Sequence, residues 1–266
     1  MPPTATESTA FDASTAVEDH GKGRYTAELD PHWGSLVGIH GGYQVAIATN
    51  AAARFQPGRP VRTVTTSFLR PGQPGPVDIE VGSVRHGRSL TTLSVDMRQG
   101  DVLLNTTRVT LADARSGPSW VTARPTTIRP IAECVPIQPP PGVSHFDHAT
   151  AMIDPDFIPF THGERALVQG YIRPLESRPI DVAWLAMAVD WFPPPAFVRI
   201  DPPAGGISID LTTHIHATLP PLGAEEWLTG AFEAAISSDG MALERGWIAA
   251  PDGAVIAETF HTRWMG

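Results

Sequence analysis

The chain has 266 residues, 42% of them hydrophobic, enough for one large domain or two of roughly 100 residues each. A formal net charge of −9 and the lack of any basic stripe exclude nucleic acid as an expected partner. No apolar run approaches the roughly 20 residues needed to span a bilayer, so membrane insertion is not expected either. Met1 to Ala16 is polar and rich in Thr, Ser and Pro, without the basic start and apolar stretch of a secretory signal; residues 1–20 are expected to be a flexible N-terminus.

From Arg24 to Leu29 the pattern alternates weakly, as a strand does, and Asp30-Pro31 ends it. Gly38 to Tyr43 then leads into Gln44 to Phe55, an alanine-rich stretch able to bury on nearly all sides, hence a core helix stopped by Pro57-Gly58. Strands are predicted at Val61–Leu69, Val77–Arg85, Ser89–Arg98 and Val102–Leu111, separated by Pro71-Gly72, His86-Gly87 and Gln99-Gly100-Asp101. Prolines accumulate from Ser116 to Pro141, which suits an extended linker. Cys134, the only cysteine, lies there without a local nucleophile signature; it forms no disulfide within the chain and agrees with a reducing cytoplasm. A second set follows: a strand at Ala166–Arg173, a helix at Ile180–Phe192 ended by Pro193-Pro194-Pro195, and strands at Ser208–Thr218, Glu226–Ser237, Met241–Ala250 and Ala254–Trp264.

The two sets share one order, and they align in detail. Val64 to Phe68 lies opposite Leu211 to Ile215, and the turn Gln99-Gly100-Asp101 lies opposite Pro251-Asp252-Gly253. A repeat this long implies duplication of a whole module. The expected class is α+β, with modules at residues 21–113 and 151–266 joined by a proline-rich linker at 114–150. One helix covers one face of each antiparallel sheet, and the two sheets can pair edge to edge to imitate a symmetric dimer.

Asp210 is unusual in a strand. The period of two puts Asp210, Thr212, His214 and His216 on one face and Leu211, Thr213 and Ile215 on the other. The polar face is either a pocket or a solvated surface. His214-x-His216 with Asp210 also raises a metal site, although surface histidines are the commoner explanation. No Gly-x-Ser-x-Gly elbow occurs, which argues against an α/β-hydrolase.

With His40-Gly41-Gly42-Tyr43 opening the helix, Ser67 to Gly72, Arg88-Ser89-Leu90, Ser208 to His216, and Asp252-Gly253 through to His261, the chain resembles the double hot-dog acyl-CoA thioesterases of the thioesterase II group, over roughly Arg24 to Trp264. The resemblance implies two antiparallel sheets, each wrapped around a central helix, and hydrolysis of acyl-CoA by an activated water, with no cofactor or metal. It implies that Asp210 orients and activates that water, that His261 stands where the family has a glutamine, and that the family's hydroxyl falls near Ala235 to Ser237. Thr212 shares the face of Asp210 and completes the expected catalytic set of Asp210, His261, Ser237 and Thr212. His40, Gly41, Gly42 and Tyr43 are the expected substrate-binding residues, with backbone N–H groups at the helix start facing the thioester carbonyl. A homodimer or higher homo-oligomer is expected. A hydratase or dehydratase acting on an acyl thioester, with His40 or His261 beside Asp210, and a non-catalytic acyl-CoA binder remain alternatives on this fold.

Overall fold

The computed structural model describes residues 8–118, 120, 127–202, 205–216, 219 and 225–265. The chain starts with α1 (Ala10–Ser14), β1 (Glu18–Asp19) and β2 (Arg24–Leu29), and a short ribbon of β3 (Gly34–Ser35) and β4 (Gly38–Ile39) leads into α2 (Gly41–Phe55). Four long strands follow: β5 (Val61–Phe68), β6 (Gly75–His86), β7 (Leu90–Gln99) and β8 (Val102–Ala112). The second half contains β9 (Val135–Pro136), β10 (Ala149–Ile153), β11 (Leu167–Pro174) and α3 (Val182–Ala188). It ends with β12 (Ile207–Ile215), β13 (Leu228–Ser238), β14 (Met241–Ala249) and β15 (Val255–Trp264).

The two expected sheets are one. Thirteen antiparallel strands run in the order β1-β2-β6-β7-β8-β5-β12-β15-β14-β13-β11-β10-β9. The join is β5 against β12, the strand that each half would otherwise leave as an open edge with unpaired backbone groups. Thr65 and Thr212, equivalent in the repeat, lie directly opposite each other, 3.2 Å apart between hydroxyls. An antiparallel pair in which equivalent residues face each other has its twofold axis between them, so the pseudo-dyad passes through this pair. The equivalence extends to a defect. The register slips by one residue between Val61 and Thr63 on β5, and again between Ser208 and Asp210 on β12. The glycines of the two equivalent turns, Gly100 and Gly253, both adopt positive φ, at 58° and 84°.

Both helices lie on the inner face of this sheet, within one apolar core. In α2, ten of fifteen residues are buried, as its alanine content allows. The second helix is shorter than the expected Ile180–Phe192. Asp181 caps its start by accepting from the Trp184 N–H. Its end tightens into a 3₁₀ turn, with Asp190 N–H donating to Met187 O and Trp191 N–H to Ala188 O, five residues before the prolines. That turn brings Asp190 to α2. The helices meet so closely that a Cβ on Gly42 would stand 2.7 Å from Met187 O.

The ends of the modules also differ from expectation. Residues 8–20 form a strap rather than a flexible lead, while residues 1–7 lie outside the described residues. Thr9 and Asp12 make a capping box for α1, and Phe11 is buried with the Arg178 guanidinium 4.3 Å above its ring. Tyr43 Oη donates to Ser14 O, and Asn50 Nδ2 donates to Thr15 O. A five-residue helix has little signal of its own; these tertiary bonds order it. The linker at 114–150 is likewise partly structured. Its strand β9 pairs with β10, and β10 with β11, so its last part extends the C-terminal module. Cys134 is buried there, and burial raises its thiol pKa.

Candidate active site

The site begins at the cap of α2. His40 Nδ1 accepts from the Tyr43 N–H at 3.2 Å, so the ring proton sits on Nε2, which donates to Asp190 O at 3.0 Å. Its ring stacks on His145, with centroids 4.2 Å apart, and Trp191 stands edge-on to both. His145 donates in turn from Nδ1 to Gly34 O. Burial pushes His40 down to about 4 and His145 to about 2, so both imidazoles are neutral near pH 7.

Asp190, delivered by the 3₁₀ turn, is held at both carboxylate oxygens. Oδ2 accepts from the Gly42 N–H at 2.8 Å, and Oδ1 from Arg263 Nη2 at 2.9 Å. Across from it, His261 on β15 is 2% exposed, with Nε2 2.9 Å from Ser208 Oγ. Its Nδ1 lies 3.6 Å from Asp190 Oδ1 and 3.7 Å from Glu244 Oε2, which are contacts rather than hydrogen bonds. Burial, then the charge of Arg263, pushes His261 down to about 3. Burial also raises Glu244, against the opposing pull of Arg263. For Arg263, burial alone would lower the pKa, but Glu244 and Asp190 together raise it.

Of the residues singled out from sequence, His40, Gly41, Gly42, Tyr43 and His261 gather here. Their partner is Asp190, not Asp210. Asp210 pairs with Thr262, on the face opposite that of His261, and accepts from Thr262 Oγ1 at 3.3 Å. The slip between Ser208 and Asp210 is the physical reason. In a regular strand these two residues share a face, but the extra residue turns Ser208 inward and leaves Asp210 outside. Thr212 sits on that outer face at the pseudo-dyad, and Ser237 is exposed on β13 opposite Ala242. His214 is 3.5 Å from Thr63 Oγ1, and His216 is 3.4 Å from Glu258. Among the described residues, no three His, Cys, Asp or Glu side chains gather as metal ligands.

Tyr43 supports the site from behind. Its hydroxyl faces the strap and Glu28 O, and its ring stacks on Trp33. The helix start is also more occupied than expected, since Asp190 takes the Gly42 N–H and His40 takes that of Tyr43. The Gly41 N–H remains without a partner among the described residues, in a position where a Cβ would be 3.1 Å from Asp190 Oδ2.

Asp190, Ser208, Glu244, Arg263 and His145 were not picked out as site residues from the sequence. Asp190 did carry a signal: an aspartate between Val189 and Trp191, in a helix able to bury on all sides, requires a partner. Glu244 likewise occupies an inward position of a strand whose inward neighbours, Ala242, Gly246 and Ile248, are apolar or glycine.

Two family models match. Residues 29–112 match the acyl-CoA thioesterase N-terminal domain, and residues 130–265 match the acyl-CoA thioesterase C-terminal domain. A hot-dog protein of unknown function from Alicyclobacillus acidocaldarius superposes with a TM-score of 0.87 at 24% identity, over 97% of this chain and 98% of that one. An acyl-CoA thioesterase II from Mycobacterium marinum does so with a TM-score of 0.77 at 20% identity, over 97% and 98%. At such identities these likenesses show the hot-dog fold. An uncharacterised protein of Mycobacterium tuberculosis is 30% identical over 133 residues, 45% of this chain and 46% of that protein, so the match spans about half of the curated relative.

Proposed function

Because the chain belongs to the acyl-CoA thioesterase family, with both its N-terminal and C-terminal domains, we propose that it hydrolyses acyl-CoA to the free acid and CoA with an activated water. One observation carries the reading: Asp190, Ser208 and a neutral His261 converge at the start of α2, where a Cβ on Gly41 would stand 3.1 Å from Asp190 Oδ2. Each Asp190 oxygen has accepted one hydrogen bond and keeps a lone pair for water. The water oxygen attacks the thioester carbonyl carbon and its proton passes to Asp190. The oxyanion faces Gly41 at the positive end of α2. Collapse breaks the C–S bond, and the departing thiolate takes the proton back from Asp190. His261, pushed down to about 3, is a poor base near neutrality and holds the water as a hydrogen-bond partner, alongside the Ser208 hydroxyl.

The working form is proposed to be two hot-dog modules per chain, in the cytoplasm, as a homo-oligomer. Supporting the last point, Ile207 and Trp264 pair across the outer sheet face, and Leu243 faces Ile236 nearby, all four exposed. The test is thiol release from a panel of acyl-CoA substrates. Asp190→Asn should lower turnover about 100-fold or more while folding is kept. Wild-type-like turnover in that variant, or no thiol release from any acyl-CoA by the wild type, would refute the reading.

A further inference from the structure

Arg263 makes more side-chain hydrogen bonds in the site than the residues the proposed reaction uses. It lies on β15, is 7% exposed, and its side chain runs beside His261 toward the end of α3. All three guanidinium nitrogens donate. Nη2 reaches Asp190 Oδ1 at 2.9 Å, Nε reaches Glu244 Oε2 at 3.0 Å, and Nη1 reaches both Ser208 Oγ and Gly206 O at 3.3 Å. These acceptors belong to three separate pieces of chain: the turn after α3, β14, and the start of β12 with the residue before it. Only a planar fork with donors on several edges can serve them together; a lysine ammonium is a single point on a flexible stem.

We propose that Arg263 is the positioning residue of this site, fixing the Asp190 carboxylate and the Ser208 hydroxyl in one rigid frame, with Glu244 as the counter-charge that fixes Arg263. The inference rests on the hydrolytic reading above. Glu244 has no place in that reaction, yet it is buried and its Oε1 has no partner among the described residues. Such a group is costly to keep in a core, and the Arg263 contact is the one strong bond that explains its presence.

The repeat provides a comparison within the chain. By strand register, Arg263, Glu244 and Ser208 correspond to Leu111, Leu93 and Val61 in the first half, all buried. A double substitution, Arg263→Leu with Glu244→Leu, therefore places in the second cradle the residues that the first already packs. It removes Arg263 together with Glu244, which buried groups tolerate better than the loss of one partner, and leaves Asp190 held by the Gly42 N–H.

The experiment compares the wild type, this double variant and Arg263→Lys by thiol release and by the imidazole nitrogen shifts of His261. Both variants should fold, keep KM within a few-fold, and lose about 100-fold in kcat, the scale of a displaced reacting group. The His261 shifts should show its bond to Ser208 weakened. Should the double variant fail to fold, Arg263→Lys, which keeps the charge, decides by the same two readings. Turnover within about threefold of the wild type overturns the proposal, and so does a deep loss with unchanged His261 shifts. If the wild type itself releases no thiol, the hydrolytic reading fails separately, and the nitrogen shifts still report whether Arg263 holds the frame.

Discussion

Lowering the pH from 8 to 5 should destabilise the fold by several kcal/mol, and the cause is specific. His40, His145 and His261 are buried and neutral, pushed down to about 4, about 2 and about 3. In the unfolded chain each returns to about 6.5. Between those values the unfolded state binds more protons than the folded one, so stability is lost as pH falls through about 6.5. At pH 5, about 1.5 units below the unfolded value, each histidine contributes about 2 kcal/mol of loss, and the three together about 6. Glu244 acts in the opposite sense, because its raised pKa lets the folded state take up a proton, at most one. The lowered carboxylates Asp30 and Glu258 act only below this window. The histidines' share alone is a large part of the roughly 5–15 kcal/mol that hold a domain together, and Glu244 offsets some of it. Urea unfolding at pH 8, 7, 6 and 5 measures it, with ΔG extrapolated to water at each pH. His145→Phe keeps a ring beside His40 but cannot bind a proton, and should reduce the slope by about a third. Flat stability from pH 8 to 5, or an unchanged slope in that variant, would refute the reasoning.

Three further outcomes follow from the site's geometry. Asp210→Asn should keep turnover near that of the wild type, because its side chain faces away from His261; a deep loss in thiol release would return Asp210 to the site. His261→Gln should keep a substantial share of activity, and neither protein should show a histidine limb near pH 6.5 in its pH–rate profile, since His261 is held at about 3. Gly42→Ala should lower both the melting temperature and kcat, as its Cβ would stand 2.7 Å from Met187 O and 2.9 Å from Asp190 Cβ; an unaffected variant would mean that the helices separate without cost.

Much of this fold was legible in the sequence because it depends on local pattern. Every long strand matched its alternating run to within about two residues at most termini, and α2 matched its alanine-rich stretch. What escaped was tertiary. The strap at residues 8–20 is ordered by Tyr43, Asn50 and Arg178, which lie far along the chain. The short α3 ends where Asp190 turns toward Gly42, not where the prolines stand. For Asp210 the difference comes from one residue: the extra residue after Ser208 has no signature in composition, yet it exchanges the inner and outer faces of β12 and places Asp210 away from His261. His261 and the helix start lie at the candidate site, since their positions depend on no such slip.

The residues at equivalent positions, not the bulge, explain why the candidate site occurs once in a duplicated fold. Both halves keep the slip, so the fold presents an equivalent cradle on each side of the Thr65–Thr212 axis. In the second half that cradle holds Ser208, His261, Glu244 and Arg263. In the first, the same register positions are Val61, Val109, Leu93 and Leu111, every one buried. Valine and leucine side chains neither hold a water nor take a proton, so the first cradle contributes packing alone. The candidate site draws on both halves, since the Gly42 N–H that holds Asp190, and Gly41 with its proposed oxyanion-facing N–H, belong to the first module's helix. Once both modules are in one chain, each half can specialise: one supplies the helix start, and the other the charged side chains that would cost stability if duplicated without use.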